Sequence, residues 1–293
     1  MSFDDMPDLG PFLRPDAKKY DEECIRLSRE ALARTRAVLD VPYGPDFFHK
    51  LDIFLPDDTG LKDLPVLIFI HGGAWRNGFK EWFGYMAPPL VTLPAILISP
   101  NYRLAPKVKF PEPLNDCCAI LHWVHSHIAE HGGDPNRIFV GGHSAGGHLA
   151  SLMSLRPELV TRLGMQRDII KGCFALSSAF NMERAGADPQ RLPLLDLLLQ
   201  SGDDGASSSP LNFVKGNRTP FHIAYGAQDF PELMHDNKRM IESMQREGCT
   251  IEHHVLDRCS HFDTSIACGD PDGVWVKTVR RWLAHGASAG PAA

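Results

Sequence analysis

The sequence predicts an α/β protein built on one mostly parallel sheet with helices on both faces, and two observations carry that reading. Short continuous apolar runs bounded by turn residues recur at Val66 to Ile70, Ala95 to Ile98, Ile138 to Val140, Cys173 to Leu176 and Phe221 to Tyr225. Strands covered on both faces look like this. Between the runs lie stretches with helical spacing, and the alternation of the two builds a sheet layered between helices.

Taken in order, residues 1 to about 40 contain a helix marked by Tyr20, Ile25, Leu27 and Leu32. Phe47 to Phe54 alternates as a half-exposed strand does, which places it toward an antiparallel edge of the sheet. The five apolar runs supply the strands that follow. Residues 181 to 215 break the alternation by inserting LPLLDLLLQ and then the polar GDDGASSSP between two strands. Insertions at one end of such a sheet build substrate pockets, so residues 1–40 and 181–215 are expected to form a small cap on a single domain covering 1–293. Leu233, Asn237, Met240, Ile241 and Met244 then repeat with helical period, and Gly248 stands where a helix-terminating glycine belongs. Val274, Trp275, Val279, Trp282 and Leu283 mark a last helix, and the eight residues after His285 are expected to be disordered.

Composition narrows the function classes. The 43% hydrophobic and 23% charged fractions are those of an ordinary globular protein with a large core. A net charge of −6, with both signs well mixed, argues against nucleic acid or an anionic membrane as the main partner. The expected partner is a small-molecule substrate, with a homodimer left open. The N-terminus MSFDDMPDLG lacks the basic and apolar regions of a secretory signal, and no run of about 18 apolar residues exists, so a cytoplasmic location is expected. Seven cysteines without a C-x-x-C pair fit reduced thiols better than a disulfide framework or a zinc site.

The chemistry concentrates where four glycines crowd into seven residues, GGHSAGG, directly after Ile138-Phe139-Val140. Gly142-His143-Ser144-Ala145-Gly146 matches G-x-S-x-G, with a strand before it and the helical LASLMSL after it. In that context a strained turn lifts a serine hydroxyl clear of the sheet, and the glycines let strand and helix approach. A serine alone is a poor nucleophile and needs a base, itself oriented by a third group. The chain order serine, acid, histidine selects Asp229, just past the run Phe221 to Tyr225, and His261, just past the strand-like Ile251 to Leu256. Glu232, Asp257 and Asp263 are nearby rivals for the acid, while His143 and His148 are read as packed or hydrogen-bonded histidines rather than bases. His71-Gly72-Gly73-Ala74-Trp75 follows the strongest apolar run, where backbone N–H groups of Gly72, Gly73 and Ala74, with that of Ala145, would meet a developing oxyanion. Trp75, Trp82, Phe83 and Tyr85 are candidates to line the substrate pocket.

HGGAW, NYRLAP (Asn101 to Pro106) and GHSAGGH together resemble the α/β-hydrolases grouped with hormone-sensitive lipase, over roughly residues 45 to 285. Within that group H-G-G-x-W, GAQDFPELMHDN and LDRCSHFD resemble the kynurenine formamidase (arylformamidase) family. The resemblance implies an α/β-hydrolase fold, a Ser144–Asp229–His261 triad, an oxyanion loop at Gly72 to Ala74, and hydrolysis of an aryl formamide through an acyl-enzyme, with no metal or organic cofactor. Ala74 stands where the lipase-like relatives carry a third glycine, a change that keeps the N–H. NYRLAP is more typical of the esterase branch, so a carboxylesterase acting on short-chain esters is the alternative reading.

Overall fold

A computed structural model describes residue 3 and residues 6–287. Its strands are β1 (Arg36–Pro42), β2 (Lys50–Leu55), β3 (Leu64–Ile70), β4 (Ile96–Pro100), β5 (Gly133–His143), β6 (Ile170–Leu176), β7 (Phe221–Gln228) and β8 (Ile251–Ser260). Its helices are α1 (Asp16–Leu32), α2 (Ala87–Val91), α3 (Glu112–His127), α4 (Ala145–Leu155), α5 (Pro157–Thr161), α6 (Leu192–Leu198), α7 (Pro231–Arg246), α8 (His261–Ile266) and α9 (Val274–His285). The strands form one sheet in the order β1-β2-β4-β3-β5-β6-β7-β8, antiparallel at β1–β2 and β2–β4 and parallel from β4 to β8. All five apolar runs are strands of this sheet. Of the eight-residue tail expected to be disordered, residues 288–293 lie outside the described residues.

The pleat sorts each strand between two cores. Val66, Ile68 and Ile70 point to the side packed by α3, α4 and α7, whereas Leu67 and Phe69 point to the side packed by α1, α2 and α9. Helix α7 buries Leu233, Asn237, Met240, Ile241 and Met244, the stripe the spacing predicts, and Gly248 follows it at φ +66°. Among the described residues no helix is long and apolar enough to cross a membrane.

Two expectations about the N-terminal third need correction. The segment Arg36–Pro42, whose residues up to 40 the sequence places in the cap, is the edge strand β1, paired with β2. Being an edge it is mostly exposed, so it lacks the apolar run that betrays the inner strands. Strand β2 is not half-exposed, since every residue from Leu51 to Leu55 is buried. Its polar position, Asp52, is buried beside the ammonium of Lys80, which lies 2.8 Å from Asp52 Oδ1, 2.8 Å from Glu81 Oε1 and 3.0 Å from Asp40 Oδ1. Ion pairing is what makes a buried charged strand residue tolerable.

The parallel strands send their carboxyl ends to one side of the sheet, where α/β proteins gather functional groups. There β3 runs into His71-Gly72, β5 into Ser144, β7 into Asp229 and β8 into His261. Two irregular segments also reach this side. Residues 181–215 carry α6 and are tied to the loop after β4, with the Phe110 N–H donating to the Leu198 carbonyl at 2.8 Å. Lys109 Nζ also donates to the carbonyls of Asp196 and Leu199, at 2.7 and 2.9 Å. Helix α1 buries Tyr20, Cys24, Ser28 and Ala31, and the Tyr20 ring stacks on Phe262 with centroids 4.8 Å apart.

Candidate active site

Ser144 sits between β5 and α4 at φ 55°, ψ −119°. A side chain in that region costs on the order of 1–3 kcal/mol and persists only where packing over-determines it. Here the packing is backbone against backbone. A methyl group on Gly146 would lie 2.0 Å from the Ile70 carbonyl oxygen, and one on Gly142 would lie 2.4 Å from the Gly146 carbonyl carbon. The first turn of α4 is therefore pressed onto the ends of β3 and β5, and the turn holding Ser144 has no room to relax. Ser144 remains partly exposed.

The structure brings the three candidate groups together from three strand ends. His261 Nε2 lies 3.0 Å from Ser144 Oγ, and His261 Nδ1 lies 2.8 Å from Asp229 Oδ1. The imidazole is thus bracketed, hydroxyl on one nitrogen and carboxylate on the other, which fixes Nδ1 as the protonated nitrogen and leaves Nε2 free to accept. Burial alone would raise the Asp229 carboxyl, but the hydrogen bond and charge of His261, helped by the Phe230 N–H at 2.7 Å, outweigh it and hold the group below its ordinary value. The rival acids are elsewhere: Asp263 caps α8 through Ser260, Asp257 is exposed, and Glu232 is half-buried 3.8 Å from Arg14.

His143 and His148 are buried hydrogen-bonded groups, as read from the sequence. The Nε2–H of His143 donates to the His261 backbone carbonyl at 2.9 Å, and the two rings lie 4.5 Å apart. The Nε2–H of His148 donates to the Ser208 carbonyl at 2.7 Å, so its Nδ1 is a lone pair and accepts the Trp75 indole N–H at 3.2 Å. Trp75, the segment's neighbouring turn and the 181–215 insertion are thereby linked through one imidazole.

The loop after β3 has a defined peptide orientation. The Nδ1–H of His71 donates to the Gly72 carbonyl at 2.7 Å, while the Gly73 carbonyl accepts from the Arg76 and Asn77 N–H groups at 3.1 and 2.9 Å. In a trans peptide the N–H points opposite to its carbonyl, so the N–H groups of Gly73 and Ala74 are turned away from these internal bonds. A methyl group on Gly72 would stand 3.2 Å from Ser144 Cβ, which puts this loop directly against the serine. Ala145 opens α4, where a helix leaves its first N–H groups without internal acceptors.

The four pocket aromatics expected from sequence are not placed as expected. Phe83 and Tyr85 are core residues on the α1/α9 side, Phe83 against Phe69 at 5.0 Å and Tyr85 donating to the Ser265 carbonyl at 2.8 Å. Trp82 is 2% exposed, its N–H bound to Asp21 Oδ1 and its ring edge-on to Tyr20. Trp75 is equally buried against His148. All four have their partners inside the protein. Two aromatics do border the triad: Phe230 stacks on His261 at 4.5 Å and Phe262 meets it edge-on at 5.5 Å.

Burial lowers the histidines His71 and His148 to about 4, and His143 and His222 to about 3, despite carbonyl hydrogen bonds that favour the cation in His71, His143 and His148. An unfolded histidine takes up its proton near pH 6.5, whereas the folded ones stay neutral well below that. Stability should therefore fall as pH drops from about 6.5 toward 4, by up to about 1.4 kcal/mol per unit for each such group. Urea midpoints measured from pH 7 to 4.5 check this, and a flat profile would contradict it.

The family model BD-FAE matches residues 51–233. The isoprenylcysteine alpha-carbonyl methylesterase of Arabidopsis thaliana is 33% identical over 243 residues, covering 76% of this chain and 56% of that protein. The kynurenine formamidase of Danio rerio is 25% identical over 247 residues, covering 80% of this chain and 78% of its own length. The chain spans about half the length of many of the curated relatives it matches. Among solved structures, the thermophilic carboxylesterase EstE1, cloned from a metagenomic library, superposes with a TM-score of 0.71 at 21% identity, covering 91% of this chain and 96% of that one. The fold is that of the α/β-hydrolases.

Proposed function

The chain belongs to the BD-FAE family, and from that premise we propose that it is a serine hydrolase cleaving an aryl formamide or related aryl amide, N-formylkynurenine-like, through an acyl-enzyme. The hydrogen-bonded chain Ser144–His261–Asp229 carries the hydrolase part of this reading. His261 Nε2 takes the hydroxyl proton as Ser144 Oγ attacks the carbonyl, and Asp229 holds the tautomer and stabilises the imidazolium. The N–H groups of the 72–74 loop and of Ala145 receive the oxyanion. His261 then protonates the departing amine, and a water activated by the same nitrogen releases the acyl group. Residues 6–40, within the expected 1–40 cap, and the 181–215 insertion cover the pocket.

The formamide part rests on sequence. The chain aligns with the Danio rerio formamidase over 78% of that protein, whereas it aligns with the Arabidopsis thaliana methylesterase over 56%. An anilide suits the site chemically, because the aryl ring withdraws charge from the leaving nitrogen while His261 supplies its proton. The likeness to esterases supports a second reading, carboxylesterase action on short-chain esters. The test is kcat/KM for N-formylkynurenine against short p-nitrophenyl esters and larger aryl amides. Comparable or better turnover of the formamide is expected. Esters preferred by several orders of magnitude, with formamide turnover near background, would establish the second reading instead.

A further inference from the structure

Two guanidinium groups lie on segments that touch the triad's surroundings and are not used by its chemistry. Phe230 is sandwiched: its ring stacks on His261 with centroids 4.5 Å apart, and Arg14 lies over the ring with its guanidinium carbon 3.7 Å from the centroid. Two groups that close to one ring occupy its opposite faces, so Arg14 is separated from the imidazole by a single ring. Arg76 belongs to the loop that presses against Ser144. It is half-buried two residues beyond Ala74, in the turn closed by the Gly73 carbonyl, and its Nε–H is buried without an acceptor. A buried N–H left unpaired asks for a partner. The chain ahead of α1 joins the two arginines, because a side chain at Gly10 would stand 4.0 Å from Arg76 Nη2. Residues 10–14 therefore run from the loop beside Ser144 to the ring beside His261.

We infer that Arg14 and Arg76 form an anion subsite on the leaving-group side of Ser144, which takes a carboxylate carried by the substrate. The leaving-group side follows from the proton transfer, because the group that protonates the departing atom must face it, and Arg14 stands next to that group. The inference rests on the hydrolase reading above but not on the choice between amide and ester. Arg14 has a competing carboxylate in Glu232, but at 3.8 Å with side chains 49% and 41% exposed that pair is weak. A planar guanidinium grips a carboxylate through paired N–H bonds, so the substrate carboxylate is the stronger partner. Binding it also removes a cation that opposes the positive charge His261 acquires during attack.

Two matched pairs test this: formanilide against 3-carboxyformanilide, and phenyl acetate against 3-carboxyphenyl acetate. In each pair kcat/KM is expected to favour the carboxylated member, by about tenfold for a charge-assisted contact. That ratio should collapse toward one in Arg76→Gln and in Arg14→Gln, persist in Arg76→Lys, and shrink as salt is raised. Fluorophosphonate labelling of Ser144 in each variant verifies that the site is assembled. A preference seen only in the ester pair supports the subsite while sinking the formamide reading. Formamide cleavage with no preference for the carboxylate, or a preference that survives both glutamine variants, overturns the subsite and leaves the formamide reading intact.

Discussion

Replacing Ser144 with alanine is expected to lower kcat by about 10⁴- to 10⁶-fold while leaving the fold intact. The reasoning starts from geometry. The hydroxyl lies 3.0 Å from His261 Nε2, and its removal leaves a well-oriented base with nothing to deprotonate. Triad members act as a unit, so His261→Ala should cost about as much, and Asp229→Asn about 10⁴-fold, by presenting the wrong tautomer to the serine. Alanine tolerates the left-handed backbone at 144 no worse than serine does, so the melting temperature should barely move. Turnover of an activated ester and fluorophosphonate labelling are the two readouts. Undiminished turnover in Ser144→Ala would place the chemistry elsewhere, and Glu232→Gln proving more damaging than Asp229→Asn would mean that the wrong acid has been chosen.

The second large effect is structural. In Gly146→Ala the added methyl would lie 2.0 Å from the Ile70 carbonyl oxygen and 2.6 Å from that of His71, contacts that no side-chain rotation relieves because both obstacles are backbone. Helix α4 must then lift off β3, opening the interface that holds Ser144 in place. A loss above about 4 kcal/mol is expected, a large part of a typical stability of about 5–15 kcal/mol, so much of the protein should be insoluble or unfolded. Gly164→Ala is the control. Gly164 adopts φ +78° with open space around it, so only backbone strain of about 1 kcal/mol is at stake. Urea unfolding of both variants separates the two mechanisms, and equal stability of Gly146→Ala and the parent chain would refute the close helix–strand contact.

What could be read without coordinates follows from how local each signal is. The inner strands announce themselves because both faces are covered, and the Ser144 turn announces itself because only glycine permits the contacts at 142 and 146. Asp229 and His261 were found because each stands directly after a strand, a position that chain order makes recognisable. Strand β1 escapes a sequence reading because an edge needs no apolar run, and β2 reads as half-exposed because the partner that neutralises Asp52 lies 28 residues away. Trp82, Phe83 and Tyr85 were assigned to the pocket because an aromatic residue's spacing is the same whether it lines an opening or fills a core. Arg14 was invisible as a site residue, since nothing local to residue 14 says that it will lie over Phe230.

The link from Trp75 through His148 to residue 208 ends on a main-chain oxygen rather than on a side chain. Any amino acid can supply that oxygen, so this bond does not fix the letter at 208 so long as the path of the insertion is kept. Adding or removing a residue between α6 and position 208 is another matter, for it would displace the acceptor and release the indole beside the oxyanion loop. Natural variation or laboratory grafting that retunes substrate choice in this lineage should therefore proceed by exchange within an insertion of constant length, whereas changes of length carry a penalty in turnover.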